Sequence, residues 1–406
     1  MNPHLNQLQP YPFEKLRQLF AGQQPSTTYS PISLGIGEPK HSTPQFIKNV
    51  LAESLGGLAI YPTTAGSIAL RTAIATWLGK RYGLPPINPE TQVLPVNGSR
   101  EALFALAQTI VDPAARALVM CPNPMYQIYE GAAYLAGAQP YFVGADPVRN
   151  FAPDYLGVPD AVWKRVQLLY ACSPGNPTGT VMRLEDWDAL FTLSDKYGFV
   201  IAADECYSEI YFGNKAPLGA LEAAYRLGRH DYARLIAFSS LSKRSNVPGM
   251  RSGFVAGDAT ILKDFLRYRT YQGGAMSPSV QEASIAAWGD EQHVLENRHQ
   301  YHEKFQQITP MLQKVLEVCL PDAGFYLWAL IPAQYNISDT EFAYRLYAEY
   351  NVTVLPGSYL GRESSDGSGN PGCNRIRMAL VADVDECREA ANRIIAFCQS
   401  FNNCPL

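Results

Sequence analysis

Apolar residues in the middle of the chain form short unbroken runs that end in clusters of small and polar residues. RALVMCPNPMY (116–126), QLLYACSPGNPTG (167–179), FVIAADECYSE (199–209) and LIAFSSLSK (235–243) are of this kind. Between them, LEDWDALFTLSDKYG (184–198) has helical spacing. Strands this apolar, alternating with helices, predict an α/β fold whose largely parallel sheet is buried on both faces. Ligands of such sheets sit at the carboxyl ends of the strands, so each polar cluster falls where a site would be built.

From about residue 285 the rhythm changes. HVLENRHQYHEKFQQITPMLQKVLE (293–317) predicts one long amphipathic helix and AGFYLWALI (323–331) a strand. SDTEFAYRLYAEYN (338–351) predicts a helix opened by a serine or aspartate, NRIRMALV (374–381) a strand, and DVDECREAANRIIAFCQSF (383–401) a last helix. The expected organisation is a large domain over 45–290 and a smaller α+β domain over 291–406. Residues 1–44 form an arm and part of the small domain. The glycine- and serine-rich GRESSDGSGNPGCN (361–374) is expected to be a mobile surface loop.

Composition narrows the class. The 406 residues are 47% hydrophobic and 17% charged, which is globular rather than disordered or fibrous. The 33 basic and 37 acidic residues give a net charge of −4, and no basic run suggests a nucleic-acid partner. No apolar segment reaches the length of about 18 residues that a membrane span needs. The N-terminal MNPHLNQLQPYPFEKL lacks the charged-then-apolar order of a secretory signal. Eight cysteines (121, 172, 206, 319, 373, 387, 398, 404) stand singly. No CxxC pair is present, so neither a metal site nor a disulfide framework is expected, and a cytoplasmic location is.

Candidate chemistry collects at the strand ends. Lys243, in SSLSKRSNVPGMRSG (239–253), follows an apolar strand. A lone lysine is usually solvated. Here Ser240, Ser242 and Arg251 offer hydroxyls and a guanidinium suited to a phosphate, and a lysine is the residue that bonds a carbonyl cofactor. Asp204 ends the strand of FVIAADECYSE, where a carboxylate is costly unless paired, with Tyr207 three residues on. A helix N-cap with a nearby core tyrosine is the plainer reading. Asn176 lies in the turn SPGNPTG, Ser99 and Arg100 in the helix opening NGSREAL, and Tyr126 at another strand end. Arg377, in NRIRMAL, shares a strand face with Arg375 and calls for an anion, either a substrate carboxylate or a salt-bridge partner.

Together these motifs resemble class I and II aminotransferases, the aspartate aminotransferase-like group of fold-type I pyridoxal phosphate enzymes. The resemblance runs from ISLGIGEP (32–39) to RIRMAL (375–380). It implies pyridoxal 5'-phosphate as cofactor, with Lys243 as the lysine that bonds it and serves as general base. It implies that Asp204 pairs with the pyridine nitrogen, Asn176 and Tyr207 bind the phenolic oxygen, and Tyr126 stacks on the ring. Ser99, Arg100, Ser240, Ser242 and Arg251 would hold the phosphate, and Gly37 and Arg377 the substrate carboxylate. Tyr61 would reach the phosphate of the neighbouring subunit, which implies a homodimer with shared sites. GIGEPKHSTP (35–44), LSKRSNVPGMRSGFVAGD (241–258) and VTVLPGSYLGRE (352–363) are further similar to bacterial N-succinyldiaminopimelate aminotransferases of the lysine pathway. On that likeness Lys40 or Arg244 is expected to receive a distal carboxylate, with plain surface charge as the alternative. An aminotransferase for aspartate, alanine or another amino acid, or a carbon–sulfur β-lyase or decarboxylase on the same fold, would carry nearly the same residues. A DNA-binding regulator finds no room before residue 32, and the filled catalytic positions argue against a decayed site.

Overall fold

The runs predicted as strands lie side by side. In the computed structural model, which describes residues 1–402, eight strands form one sheet. Their order is Val93–Val96, Gly253–Gly257, Leu235–Ser240, Val200–Asp204, Val166–Cys172, Leu118–Asn123, Gln139–Asp146 and Ala152–Pro153. The five strands from Leu235–Ser240 to Gln139–Asp146 pair in parallel, whereas Gly253–Gly257 runs antiparallel to both its neighbours. Alternate residues of one strand enter opposite cores. Leu169 and Ala171 join a cluster with Trp77, Trp187 and Trp288, while Leu168 and Tyr170 join one with Leu103, Leu106 and Phe265. Burial on both faces explains why these strands read as continuous apolar runs.

The helix Leu184–Tyr197 shows how sequence sets an element's end. Trp187, Leu190, Phe191 and Ser194 are its buried stripe, and Gly198, at φ 82°, closes it with an N–H to the Ser194 carbonyl.

The C-terminal part is built on three antiparallel strands, with Arg375–Ala379 between Tyr326–Leu330 and Leu355–Pro356. The helices Gln292–Leu312, Asp339–Tyr350 and Val384–Asn402 bury Phe305, Phe342 and Phe397 in its core. Ser338 caps the second of these by accepting the Glu341 N–H. Ile32–Ser33 pairs in parallel with Val352–Thr353, and Leu16 of the helix Pro12–Leu19 packs with Trp328, Leu355 and Leu360. The N-terminal arm is thus tied to the C-terminal part.

Two expectations are corrected. The long helix ends at Leu312 rather than 317, because Glu317 pairs with Leu330 in extended conformation. The 361–374 segment is not a loose surface loop. Arg362 forms a largely buried ion pair with Glu130, Asn123 bonds the Arg362 carbonyl and Ser364 Oγ, and Ser365 exchanges bonds with the Phe142 backbone.

Among the described residues seven cysteines are free; Cys404 lies outside them. No group of three His, Cys, Asp or Glu among the described residues could hold a metal, and no helix there is long and apolar enough to cross a membrane.

Candidate active site

The carboxyl ends of Val200–Asp204 and Leu235–Ser240 open into a cavity of about 800 Å³. Every residue expected to hold the cofactor or the α-carboxylate, except Tyr61, lines it. Lys243, on the one-turn helix Leu241–Arg244, points its amine inward. Burial pulls that amine down to about 8, and Nζ donates to the Gly37 carbonyl at 2.8 Å. Glycine is needed at 37 because a Cβ there would collide with Tyr326 Oη.

Asp204 is buried. Its Oδ2 accepts the Tyr129 hydroxyl at 2.7 Å and its Oδ1 the Cys206 N–H at 3.3 Å. Burial nonetheless pushes its pKa up, so this carboxylate is placed to receive a cationic N–H. Tyr207 Oη lies 3.1 Å from Tyr326 Oη, and burial raises its pKa and keeps it a neutral phenol. Arg377 is 3% exposed, donates Nη1 to Asn176 Oδ1 at 3.0 Å and Nη2 to the Gly35 carbonyl at 2.8 Å, and lies over the Tyr326 ring. Its Nε is buried without a partner, which suits an arriving carboxylate. Because a guanidinium only donates, Asn176 turns its oxygen to Arg377 and keeps its amide hydrogens for another group.

Across the cavity the helix Ser99–Ile110 begins after Gly98, at φ 87°. The N–H groups of Ser99 and Arg100, in its first turn, have no partner within the helix, and its dipole favours an anion. A Cβ on Gly98 would strike the Arg251 guanidinium, so the glycine leaves room for an arginine over the helix start. Ser240 Oγ accepts the Ser242 N–H at 3.1 Å and lies 2.9 Å from Ser242 Oγ. This donor set fits the phosphate, and the buried Asp204 fits the ring nitrogen, of pyridoxal phosphate.

Arg100 divides its expected role. Its backbone sits at the helix start, but its guanidinium bonds Tyr126 Oη and lies against the rings of Tyr126 and Tyr11. The expectation for Lys40 and Arg244 fails, since neither lines the cavity. Arg244 is 1% exposed and held by Glu291, two backbone carbonyls and the faces of Trp77 and Trp288. Lys40 pairs with Glu386 at 3.2 Å. Tyr61 is fully exposed and outside the cavity of its own chain.

Tyr129 and Tyr326 escaped the sequence reading. Tyr129 stands three residues after Tyr126, a helical spacing that puts both rings in contact and could have flagged it. Tyr326 sits in an ordinary apolar strand, and no sequence signal marks it.

Residues 29–394 match the family of class I and II aminotransferases, and the chain belongs to it. It is therefore a pyridoxal-phosphate-dependent aminotransferase. The LL-diaminopimelate aminotransferase of Nitratidesulfovibrio vulgaris (strain DSM 19637 / Miyazaki F) is 32% identical over 368 residues, 89% of this chain and 90% of that protein. The crystal structure of an aminotransferase from Neisseria meningitidis Z2491 superposes with a TM-score of 0.93 at 50% identity, covering 98% of this chain and 100% of that one. A probable N-succinyldiaminopimelate aminotransferase from Thermus thermophilus gives a TM-score of 0.79 at 27% identity, over 90% of this chain and 95% of that one.

Proposed function

We propose that the enzyme transfers the amino group of N-succinyl-LL-2,6-diaminopimelate to 2-oxoglutarate in diaminopimelate and lysine formation. The products are N-succinyl-2-amino-6-oxopimelate and glutamate. The observation that carries this reading is a pair of arginines lining the cavity. Arg377 has a buried Nε without a partner, and Arg100 makes its side-chain hydrogen bond through Nε, to the Tyr126 hydroxyl. Both amino donors of the reaction carry an α-carboxylate and a distal carboxylate, which two separate guanidiniums suit.

When bound, pyridoxal phosphate supplies the aldehyde that condenses with the amine and a ring that accepts electrons from the substrate Cα. The chain's own residues do the rest. Arg377, oriented by Asn176, fixes the α-carboxylate and so aims the Cα hydrogen at Lys243. Lys243, its amine near neutral by burial, takes that proton and returns it elsewhere on the reacting skeleton. Asp204, which accepts the Tyr129 hydroxyl, would hold a proton on the ring nitrogen. Tyr207 and Asn176 would offer donors to the phenolic oxygen, Tyr126 would cover the ring, and Ser99, Arg100, Ser240, Ser242 and Arg251, all lining the cavity, would hold the phosphate.

The exposed Leu55, Leu58, Ile60, Tyr61 and Ile68 support a homodimer in which Tyr61 reaches the phosphate in the partner subunit's site. Residues 45–290 are read as the large domain, and 291–406 with part of the 1–44 arm as the small one.

Unsuccinylated LL-diaminopimelate is the second reading. It is favoured by the LL-diaminopimelate aminotransferase relative and by Glu38, a carboxylate on the cavity wall suited to a distal ammonium. Half-reactions test both. Each amino donor is mixed with cofactor-loaded enzyme and conversion to the pyridoxamine form is followed. Conversion by glutamate and the succinylated compound, with little from LL-diaminopimelate, is expected. Preference for LL-diaminopimelate would move the assignment to the second reading, and pyruvate from cystathionine would make the enzyme a lyase.

A further inference from the structure

Lys243 is held at its amine by the arm and at its backbone by the long helix of the C-terminal part. Its amine rests on the Gly37 carbonyl at 2.8 Å. Its own backbone carbonyl accepts the Asn297 side-chain amide at 3.2 Å. Asn297 is buried on the helix Gln292–Leu312, and its Oδ1 accepts Asn246 Nδ2 at 3.0 Å and His41 Nδ1 at 2.7 Å. A second tie, from Thr43 Oγ1 to the Asn246 carbonyl at 2.7 Å, joins the same two segments.

The donor pattern leaves one self-consistent arrangement. Lys243 O needs a donor, so Asn297 presents its Nδ2 there and its Oδ1 to His41. His41 then carries its proton on Nδ1 and turns the Nε2 lone pair to Lys304 Nζ, 2.6 Å away. The three hydrogens of the Lys304 ammonium are matched by His41 Nε2 and the carbonyls of Leu380 and Val381, each at 3.3 Å. Burial and the Lys304 charge hold His41 down to about 4, so at neutral pH it stays in the neutral tautomer this chain of bonds requires.

We propose that Asn297 is a positioning residue for Lys243, with its amide orientation set by His41 and Lys304. Through this relay the catalytic lysine's peptide is tied to the long helix and to the strand end at Leu380–Val381, as well as to its own loop. Lys243 is then placed by the same contacts that join the arm to the C-terminal part, and a shift of that part shifts the lysine. This inference rests on Lys243 carrying the reaction.

The test is a double-mutant cycle on cofactor-loaded enzyme. Asn297→Asp keeps size but puts an oxygen against the Lys243 carbonyl. A fall in kcat of about tenfold is expected, with KM for the amino donor within about twofold, because misplacement of the base slows proton transfer more than binding. The pH midpoint of the visible absorbance of the lysine-bound cofactor is expected to move as well. His41→Ala, at a half-buried site, is the milder variant should Asn297→Asp fail to fold. It is expected to lower kcat alone and to add almost nothing on top of Asn297→Asp, since both act through one bond. Unchanged kcat and absorbance midpoint in a folded Asn297 or His41 variant would overturn the inference, as would additive losses. Lys243→Ala separates the two levels, because its retention of wild-type turnover would remove the site reading itself.

Discussion

The amine of Lys243 is held by burial at about 8, against an ordinary 10.5. In the cofactor-free protein the unfolded chain therefore binds more protons between these two values. Stability from this group rises with pH through that window and is lowest at neutral pH and below. Labelling of Lys243 by an amine reagent in cofactor-free protein should show a midpoint near pH 8, and a midpoint near 10.5 would mean the side chain is solvated. Arg377 is a second residue-scale test. A lysine there keeps the charge but loses the fork that spans Asn176, Gly35 and an incoming carboxylate. Arg377→Lys should raise KM for the amino donor by about 10- to 100-fold while the visible absorbance of the bound cofactor is retained. Both residues were legible in the sequence, because a lysine and an arginine beside apolar strand positions are conspicuous. Tyr326 was not, because a tyrosine in an apolar strand looks like core until the fold brings it to Tyr207 and Gly37.

Two glycines of similar φ show what an element's end costs when a site depends on it. Gly198, at φ 82°, has nothing within 4 Å of a Cβ, so Gly198→Ala should cost only the backbone strain of about 1 kcal/mol. Gly98, at φ 87° and ψ 153°, lies outside the left-handed helical region that Gly198 occupies, so an alanine there is strained more, and its Cβ would also displace Arg251. Gly98→Ala should therefore weaken cofactor retention by about tenfold or more, beyond its effect on stability, measured by titrating cofactor back into stripped protein. Elements of this kind were readable in advance. The strands were apolar runs and the helices had stripes and caps, so the parallel sheet and the polar strand ends followed. The 361–374 segment was misread because its composition is that of a mobile loop. Its anchors, Asn123, Glu130 and Phe142, lie more than two hundred residues away in the chain and leave no local signal. Arg244 was misjudged in the same way, since nothing near it in sequence announces the partner Glu291 and two tryptophan faces.

At the scale of the whole molecule, the exposed apolar stretch around Tyr61 carries the prediction of shared sites. Light scattering should give twice the 44.8 kDa of one chain. If Tyr61 serves the partner subunit, Tyr61→Ala and Lys243→Ala chains, each impaired alone, should regain activity when co-folded. The mixed dimer holds one site with both residues intact, and absence of recovery would place Tyr61 outside the chemistry. Within one chain, the order of assembly is written into the order of the sequence. The residues of one chain proposed to hold the phosphate and ring of its own site lie between 99 and 251, whereas Arg377 bonds the Gly35 carbonyl across 342 positions. During synthesis, then, the residues proposed for the cofactor emerge well before the arginine proposed for the substrate, and Lys243 gains the Asn297 contact that holds its peptide only after the long helix has followed.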